Sequence, residues 1–218
     1  MQPQRILTII PAYQAAPTLA RVAAACPAPV LVVDDGSTDD TGAVARAAGC
    51  ELISHPINRG KGAALRTAFA HAIAVGFDGV ITLDADGQHD PAQIPLFHDA
   101  AAVGDYDLVV GERPRKGMPA KRRTSNTLTS LILSWRTGQC IEDSQCGFRF
   151  IRGEILRAVE LSTVEFQCES ELLIRAARAG FRIGSVPIRT IYAGERSHIR
   201  DVRDTWNFVR LVTQSLFW

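Results

Sequence analysis

Two hydrophobic periods alternate through the first half of the chain. Short runs rich in Val, Ile and Leu occupy residues 5–10, 29–33, 51–54, 79–83 and 108–111, each closed by turn residues. Nearly continuous apolar runs of this length predict strands buried on both faces. Between them the period lengthens to that of a helix. It is clearest over residues 62–75, where Leu65, Phe69, Ala72 and Ile73 share one face at spacings of three and four. Helices are also predicted over residues 18–25, over 40–48 with Thr38 or Asp39 available as N-cap, and over 92–102 after Pro91. Such alternation predicts an α/β fold, a mostly parallel central sheet with helices on both faces. Ligands of such sheets bind beyond the carboxyl ends of the strands.

The second half is less regular. A Gly/Pro/basic loop at 114–121 leads into a helix near 124–136, and strands at 148–151 and 181–191 bracket a helix near 169–179. The last segment, 201–218, is predicted as an amphipathic helix, with Val202, Trp206, Val209, Thr213 and Leu216 on one side and Arg203 and Arg210 on another. No repeat or linker interrupts the pattern. The expectation is one domain over 1–218, made of a half at 1–111, a half at 112–200 and a C-terminal helix at 201–218.

Composition narrows the class. Of 218 residues, 46% are apolar and 22% charged, enough to fill a core, so disorder is excluded. The apolar run at 128–135 is broken by Thr and Ser and falls short of the ~20 residues of a membrane span. The opening MQPQRILTII is too short before Pro11 to read as a signal peptide. Five cysteines form no C-x-x-C pair, and their odd number points to reduced core thiols. A cytoplasmic, soluble protein is expected. The net charge of +1 conceals an acid-free stretch, 113–136, with seven basic residues, and acidic clusters at 34–40 and 84–90.

Candidate chemistry gathers where strands end. The first runs into Pro11-Ala12-Tyr13, the second into Asp34-Asp35-Gly36-Ser37, the fourth into Asp84-Ala85-Asp86-Gly87-Gln88-His89. Each alone is ordinary turn chemistry. Together, at the carboxyl ends of one parallel sheet, they converge on one crevice. A turn beginning at Asp86 lets both Asp84 and Asp86 serve one site, and hard oxygen ligands without cysteine suit Mg²⁺ or Mn²⁺ rather than Zn²⁺. Gln88 adds a third, neutral ligand, and waters and substrate phosphates complete such a shell. The plain alternative is an Asx-turn with His89 as an exposed loop residue. Asn58-Arg59-Gly60-Lys61-Gly62 precedes the strongest helix, and free N–H groups there suit an anion. It has the spacing of neither a Walker loop nor a dinucleotide fingerprint.

IPAYQ, VVDDGSTDDT, NRGKGAALRTAF, LDADGQHDP, GER and DSQCGFR, in this order and spacing, resemble the family-2 inverting glycosyltransferases of GT-A fold. Within that family the likeness is to the polyprenol- or dolichol-phosphate mannose or glucose synthases, and it covers residues 5–200. The resemblance implies that Pro11, Tyr13 and Asp35 line the nucleoside and that Asp84, Asp86 and Gln88 hold the metal and diphosphate. It implies that Asp143 is the acidic position near the acceptor and that Arg196, Ser197 and His198 close over the diphosphate. The halves 1–111 and 112–200 would then bind nucleotide sugar and acceptor. One departure stands out: Gln14-Ala15 replaces the usual Asn-Glu, which leaves GDP- and UDP-sugars both open as donors.

An inverting transfer must neutralise the departing diphosphate and present a nucleophile on the opposite face. Asp86 and the metal, with Lys61 and Arg196, answer the first demand. A hydroxyl acceptor needs a general base, for which Asp143 is the candidate. A phosphate monoester, with a second pKa of about 6, needs only cationic positioning, and Arg113, Arg122 and Arg123 are the expected forks. A lipid phosphate would bring the protein to the inner face of the cell membrane, with the C-terminal helix either on the bilayer or against protein. A sugar-1-phosphate nucleotidyltransferase is the rival enzyme, disfavoured because Pro11-Ala12-Tyr13 stands where its glycine-rich loop would be. A non-catalytic nucleotide-sugar sensor is disfavoured by the Asp84/Asp86 pair, and nucleic-acid binding by the lack of an aromatic platform.

Overall fold

The computed structural model describes residues 4–116, 118–191 and 201–218. Its strands are β1 (Ile6–Ala12), β2 (Val30–Asp34), β3 (Glu51–Ser54), β4 (Gly79–Thr82), β5 (Leu108–Glu112), β6 (Arg149–Arg152) and β7 (Ile183–Pro187). They form one seven-stranded sheet in the order β3-β2-β1-β4-β6-β5-β7. Only β6 is antiparallel, lying between β4 and β5. The other pairings are parallel.

Hydrophobicity on consecutive positions explains the sheet's central place. Leu7, Ile9 and Ile10 on β1 and Leu31, Val32 and Val33 on β2 are all fully buried, so both faces are covered. The edge strand β3 is only partly buried, which suits its Glu51 and Ser54. Helices α1 (Ala16–Ala25), α2 (Thr41–Ala47), α3 (Lys61–Val75) and α4 (Ile94–Gly104) connect the parallel strands. A 3-10 turn at Pro91–Gln93, capped by Asp90, precedes α4 and delays its start beyond residue 92. Along α3 the small residues Gly62, Ala63, Ala64, Ala68 and Ala72 are buried with Leu65 and Phe69. Ile73, expected on that face, is 38% exposed, because the helix approaches the sheet on its alanines instead.

The second half adds α5 (Ala120–Thr137), α6 (Gly153–Ala158), α7 (Gln167–Arg178) and α8 (Asp201–Ser215). The periodicity did not predict α6, whose six residues are too few to set one. The expected strand at 181–191 contracts to β7. Buried Arg149 donates to the carbonyls of Cys146, Ser144 and Glu169, each at 2.8 Å, and so fastens the 143–148 turn to α7. Helix α8 turns Leu211 and Ser215 inward and is held by Arg136, which donates to Ser215 Oγ at 2.9 Å. Trp206, Val209 and Leu216, from the side predicted to be apolar, face outward at 69%, 49% and 52% exposure. Among the described residues no helix is long and apolar enough to cross a membrane.

Candidate active site

The crevice beyond the carboxyl ends of β1, β2 and β4 collects the sequence clusters. After β1, Tyr13 is 46% exposed at the rim. Gln14 adopts a left-handed φ of 52°. It crosses to the β2 loop, its Nε2 donating to Thr38 Oγ1 at 2.7 Å and its backbone N–H to Ser37 Oγ at 2.9 Å. The departure at Gln14-Ala15 therefore joins two loops of the site to each other.

Asp35 has a task that sequence did not suggest. It is 3% exposed, and Oδ1 lies 2.6 Å from His55 Nδ1 and accepts the Arg59 N–H at 3.0 Å. Oδ2 accepts the Gly60 N–H at 2.8 Å. His55 Nε2 reaches Thr67 Oγ1 at 2.9 Å. This buried chain shapes the Asn58–Gly62 turn and thereby aims Lys61, the first residue of α3. Gly60 has φ of 95°, and a Cβ there would stand 2.4 Å from the Val164 carbonyl oxygen, so only glycine fits.

Beyond β4, half-buried Asp84, Asp86 and Gln88 alternate with buried Ala85, Gly87 and His89. The three proposed ligands thus share the open side of one segment. Asp86 Oδ1 accepts the Gln88 N–H at 2.9 Å, so the Asx-turn forms and leaves the second oxygen out of it. His89 is not the exposed loop residue of the plain alternative. It is 4% exposed, packs against Phe148 with the rings tilted by 45°, and brings Nε2 to 3.7 Å from Asp84 Oδ2. Lys61 Nζ lies 2.6 Å from Asp84 Oδ1 and 3.3 Å from Glu169 Oε1.

Electrostatics at this cluster oppose one another. Burial would raise the Asp84 carboxyl, but the Lys61 charge and His89 hold it far below the usual range. Burial and then the charge of Asp84 push Asp86 up. Asp84 thus raises the proton affinity of its carboxylate neighbour, a repulsion that a divalent cation between them would relieve. Among the described residues no three His, Cys, Asp or Glu side chains gather to hold a metal by protein alone. Two carboxylates and a neutral amide fit a site of the Mg²⁺ or Mn²⁺ kind, completed by water and phosphate.

On the acceptor side, the structure pairs Asp143 with Arg113. Asp143 is 2% and Arg113 4% exposed. Arg113 donates through Nε and Nη2 to the two carboxylate oxygens at 2.7 and 2.8 Å, and through its backbone N–H at 3.2 Å. Gln145 N–H adds a fourth bond, at 3.2 Å. Burial would raise the carboxyl, but Arg113's hydrogen bonds and charge hold it below the usual range. Asp143 is therefore a weak base, and the fork of Arg113 faces Asp143 instead of a phosphate.

Lys121 and Arg123 are exposed and Arg122 is half-buried in the first turn of α5, whose amide ends are uncapped by side chains. Arg196, Ser197 and His198 lie outside the described residues. Glu169 and His89 were missed by sequence reasoning. Glu169 could have been found as one of two acids on the buried side of α7, beside Leu172 and Leu173. The thiols nearest this chemistry are kept protonated: burial pushes Cys146 and Cys168 up to about 12, and all five cysteines are free.

Comparison with known proteins decides the family. The model of glycosyl transferase family 2 matches residues 8–159. The chain belongs to glycosyl transferase family 2. It is 36% identical over 202 residues to the undecaprenyl-phosphate mannosyltransferase of Micrococcus luteus, covering 84% of this chain and 82% of that protein. It is 34% identical over 208 residues to the polyprenol monophosphomannose synthase of Mycolicibacterium smegmatis, covering 85% of this chain and 77% of that one. The glucosyl-3-phosphoglycerate synthase of Mycobacterium tuberculosis, crystallised with Mn²⁺, uridine diphosphate and glucosyl-3-phosphoglycerate, superposes with a TM-score of 0.71. That match has 21% identity and covers 98% of this chain and 78% of that one, a likeness of fold. This glycosyltransferase thus has the GT-A fold that the motif order implied.

Proposed function

We propose that this glycosyltransferase moves a hexose, with inversion, from a GDP- or UDP-sugar to a polyprenyl or dolichyl phosphate at the cytoplasmic face of the membrane. The observation that carries the reading is the Arg113–Asp143 pair. A hydroxyl acceptor requires a base near its proton, and the acid at the expected position is closed by hydrogen bonds from Arg113, the Gln145 N–H and Asn126. A phosphate monoester arrives ionised and needs none. The names of the Micrococcus and Mycolicibacterium relatives lend support, since both refer to polyprenyl-type acceptors.

In this reading an oxygen of the acceptor phosphate attacks the anomeric carbon. The bond from that carbon to the donor's diphosphate breaks, and its electron pair leaves with the nucleoside diphosphate. No proton has to be removed from the acceptor. Asp84, Asp86 and Gln88 would hold Mg²⁺ or Mn²⁺, which when bound supplies Lewis-acid stabilisation of the leaving group. Pro11 and Tyr13 border the nucleoside, and Lys61 faces the diphosphate from the α3 N-terminus. Arg122 and Arg123, at the α5 N-terminus, orient the acceptor phosphate. Leu128, Leu131 and Trp135 on α5 are exposed, as are Trp206 and Phe217 beside Arg203 and Arg210 at α8. Apolar side chains among basic ones suit the surface of an anionic bilayer.

The test compares undecaprenyl phosphate with undecaprenol as acceptors, each with GDP-mannose, UDP-glucose and Mn²⁺. Transfer to the phosphate alone is expected. Transfer to the free alcohol at a comparable rate would replace this reading with a hydroxyl-directed one.

A further inference from the structure

Lys61 stands where two positive charges must compete. Its ammonium is 2.6 Å from one oxygen of Asp84 and 3.3 Å from Glu169, with its side chain 18% exposed. Asp84 is also half of the carboxylate pair assigned above to a divalent cation. Opposite them the wall is backbone: a Cβ on Gly147 would lie 2.7 and 2.8 Å from the Asp84 oxygens and 2.9 Å from Lys61 Nζ. The ammonium has little room to withdraw. Val164 O accepts the Ala63 N–H at 3.1 Å, and a Cβ on Gly62 would meet the Val164–Glu165 backbone at 2.7 Å. The first turn of α3 is thus clamped between that backbone and the Asp35–His55 chain.

A divalent cation on Asp84 would share one carboxylate with this ammonium, and like charges at such range oppose each other. A diphosphate reverses the sign of the effect, because it contacts both cations at once and draws them together. We propose that Lys61 makes divalent-cation and nucleotide binding cooperative, weakening the cation alone and strengthening the cation together with nucleotide diphosphate. This inference rests on the reading of Asp84 and Asp86 as the cation site and concerns the order in which that site fills. Reciprocity follows: whatever factor the nucleotide adds to cation affinity, the cation adds to nucleotide affinity. A donor diphosphate then arrives together with its metal, and a cation without nucleotide is held poorly.

The experiment measures Mn²⁺ binding to the full chain from the free-ion paramagnetic resonance signal, alone and with UDP or GDP, and nucleotide binding by calorimetry with and without Mn²⁺. In the wild type the nucleotide should raise Mn²⁺ affinity by about 30-fold or more, within the usual range of coupling between sites. Lys61→Met should bind Mn²⁺ alone about 10-fold more tightly and keep only a few-fold enhancement by nucleotide. Lys61→Arg retains the charge and should retain the coupling. Melting curves establish that each variant is folded. Folded Lys61→Met with wild-type Mn²⁺ affinity and wild-type enhancement would overturn the proposal. So would a wild type whose Mn²⁺ affinity ignores nucleotide, a result that needs no variant. If neither Mn²⁺ nor nucleotide binds any form in any combination, the cation-site reading itself fails, a separately recognisable outcome.

Discussion

Two carboxylate–cation pairs sit in the same crevice and differ in kind. Lys61–Asp84 is a single contact whose partners keep 18% and 29% exposure, and the ammonium is shared with Glu169. Arg113–Asp143 is a two-pronged contact at 3% and 2% exposure, reinforced by the Arg113 and Gln145 backbone N–H groups. In the first, Asp84 raises the proton affinity of a carboxylate neighbour, Asp86, on the open side of the same segment. An open pair can exchange partners with a ligand, whereas a closed pair holds the turn that carries it. Spacing in sequence gives no warning of this, because Asp84 and Asp143 each stand in an acidic or polar motif of the same appearance.

The sharpest way to break the contrast is at the open pair. Asp84→Ala or Asp86→Ala should lower transfer by about 10³-fold, matching several kcal/mol of transition-state stabilisation. Initial rates over a Mn²⁺ titration check this, and undiminished rates would show that the open pair is not a ligand site. At the closed pair the expected loss is of stability. Arg113→Ala strands a buried carboxylate and should cost about 3–5 kcal/mol, while Arg113→Met with Asp143→Leu should recover most of it. Urea unfolding followed by circular dichroism distinguishes the two.

Asp143→Asn tests whether the closed pair also does proton chemistry. A base contributes about 10²–10⁴-fold, so a kcat reduced by less than about 10-fold in folded Asp143→Asn agrees with a structural role. The acid side of the stability profile gives a subtler measure. The folded Asp143 carboxyl lies below its unfolded value, so its stabilisation is complete above about pH 4 and is lost as pH falls through the depressed folded value. Unfolding free energies measured from pH 7 downward should decline less steeply in Asp143→Asn than in the wild type over that acid window. The smallest effect is expected far from either pair. Trp206→Ala with Phe217→Ala should leave stability within about 0.5 kcal/mol, as exposed positions do, yet weaken sedimentation with anionic liposomes. Unchanged sedimentation would remove α8 from the membrane surface.

Much of the first half was legible because its signal is local. Consecutive buried residues in β1 and β2 admit only strands covered on both faces, and Gly60 before Lys61 marks the turn into α3 whatever lies beyond it. The second half was harder to read. Helix α6 is too short for a period, and β6 runs against its neighbours although nothing in Arg149–Arg152 specifies direction. The outward face of α8 was legible as apolar, but its side toward the protein was set by Leu211 and Ser215 meeting α7 and Arg136.

The sequence by itself determined the parallel α/β architecture, the family and the cluster Asp84-Ala85-Asp86-Gly87-Gln88, since strand period, motif order and turn chemistry are properties of neighbouring residues. Only the tertiary structure decided that Arg113 closes on Asp143 across 30 positions, that Glu169 joins Lys61, and that His55 and Asp35 hold the turn before α3. Those facts depend on burial and on which elements meet. A carboxylate becomes a ligand, a base or a tether according to the donors that folding brings to it.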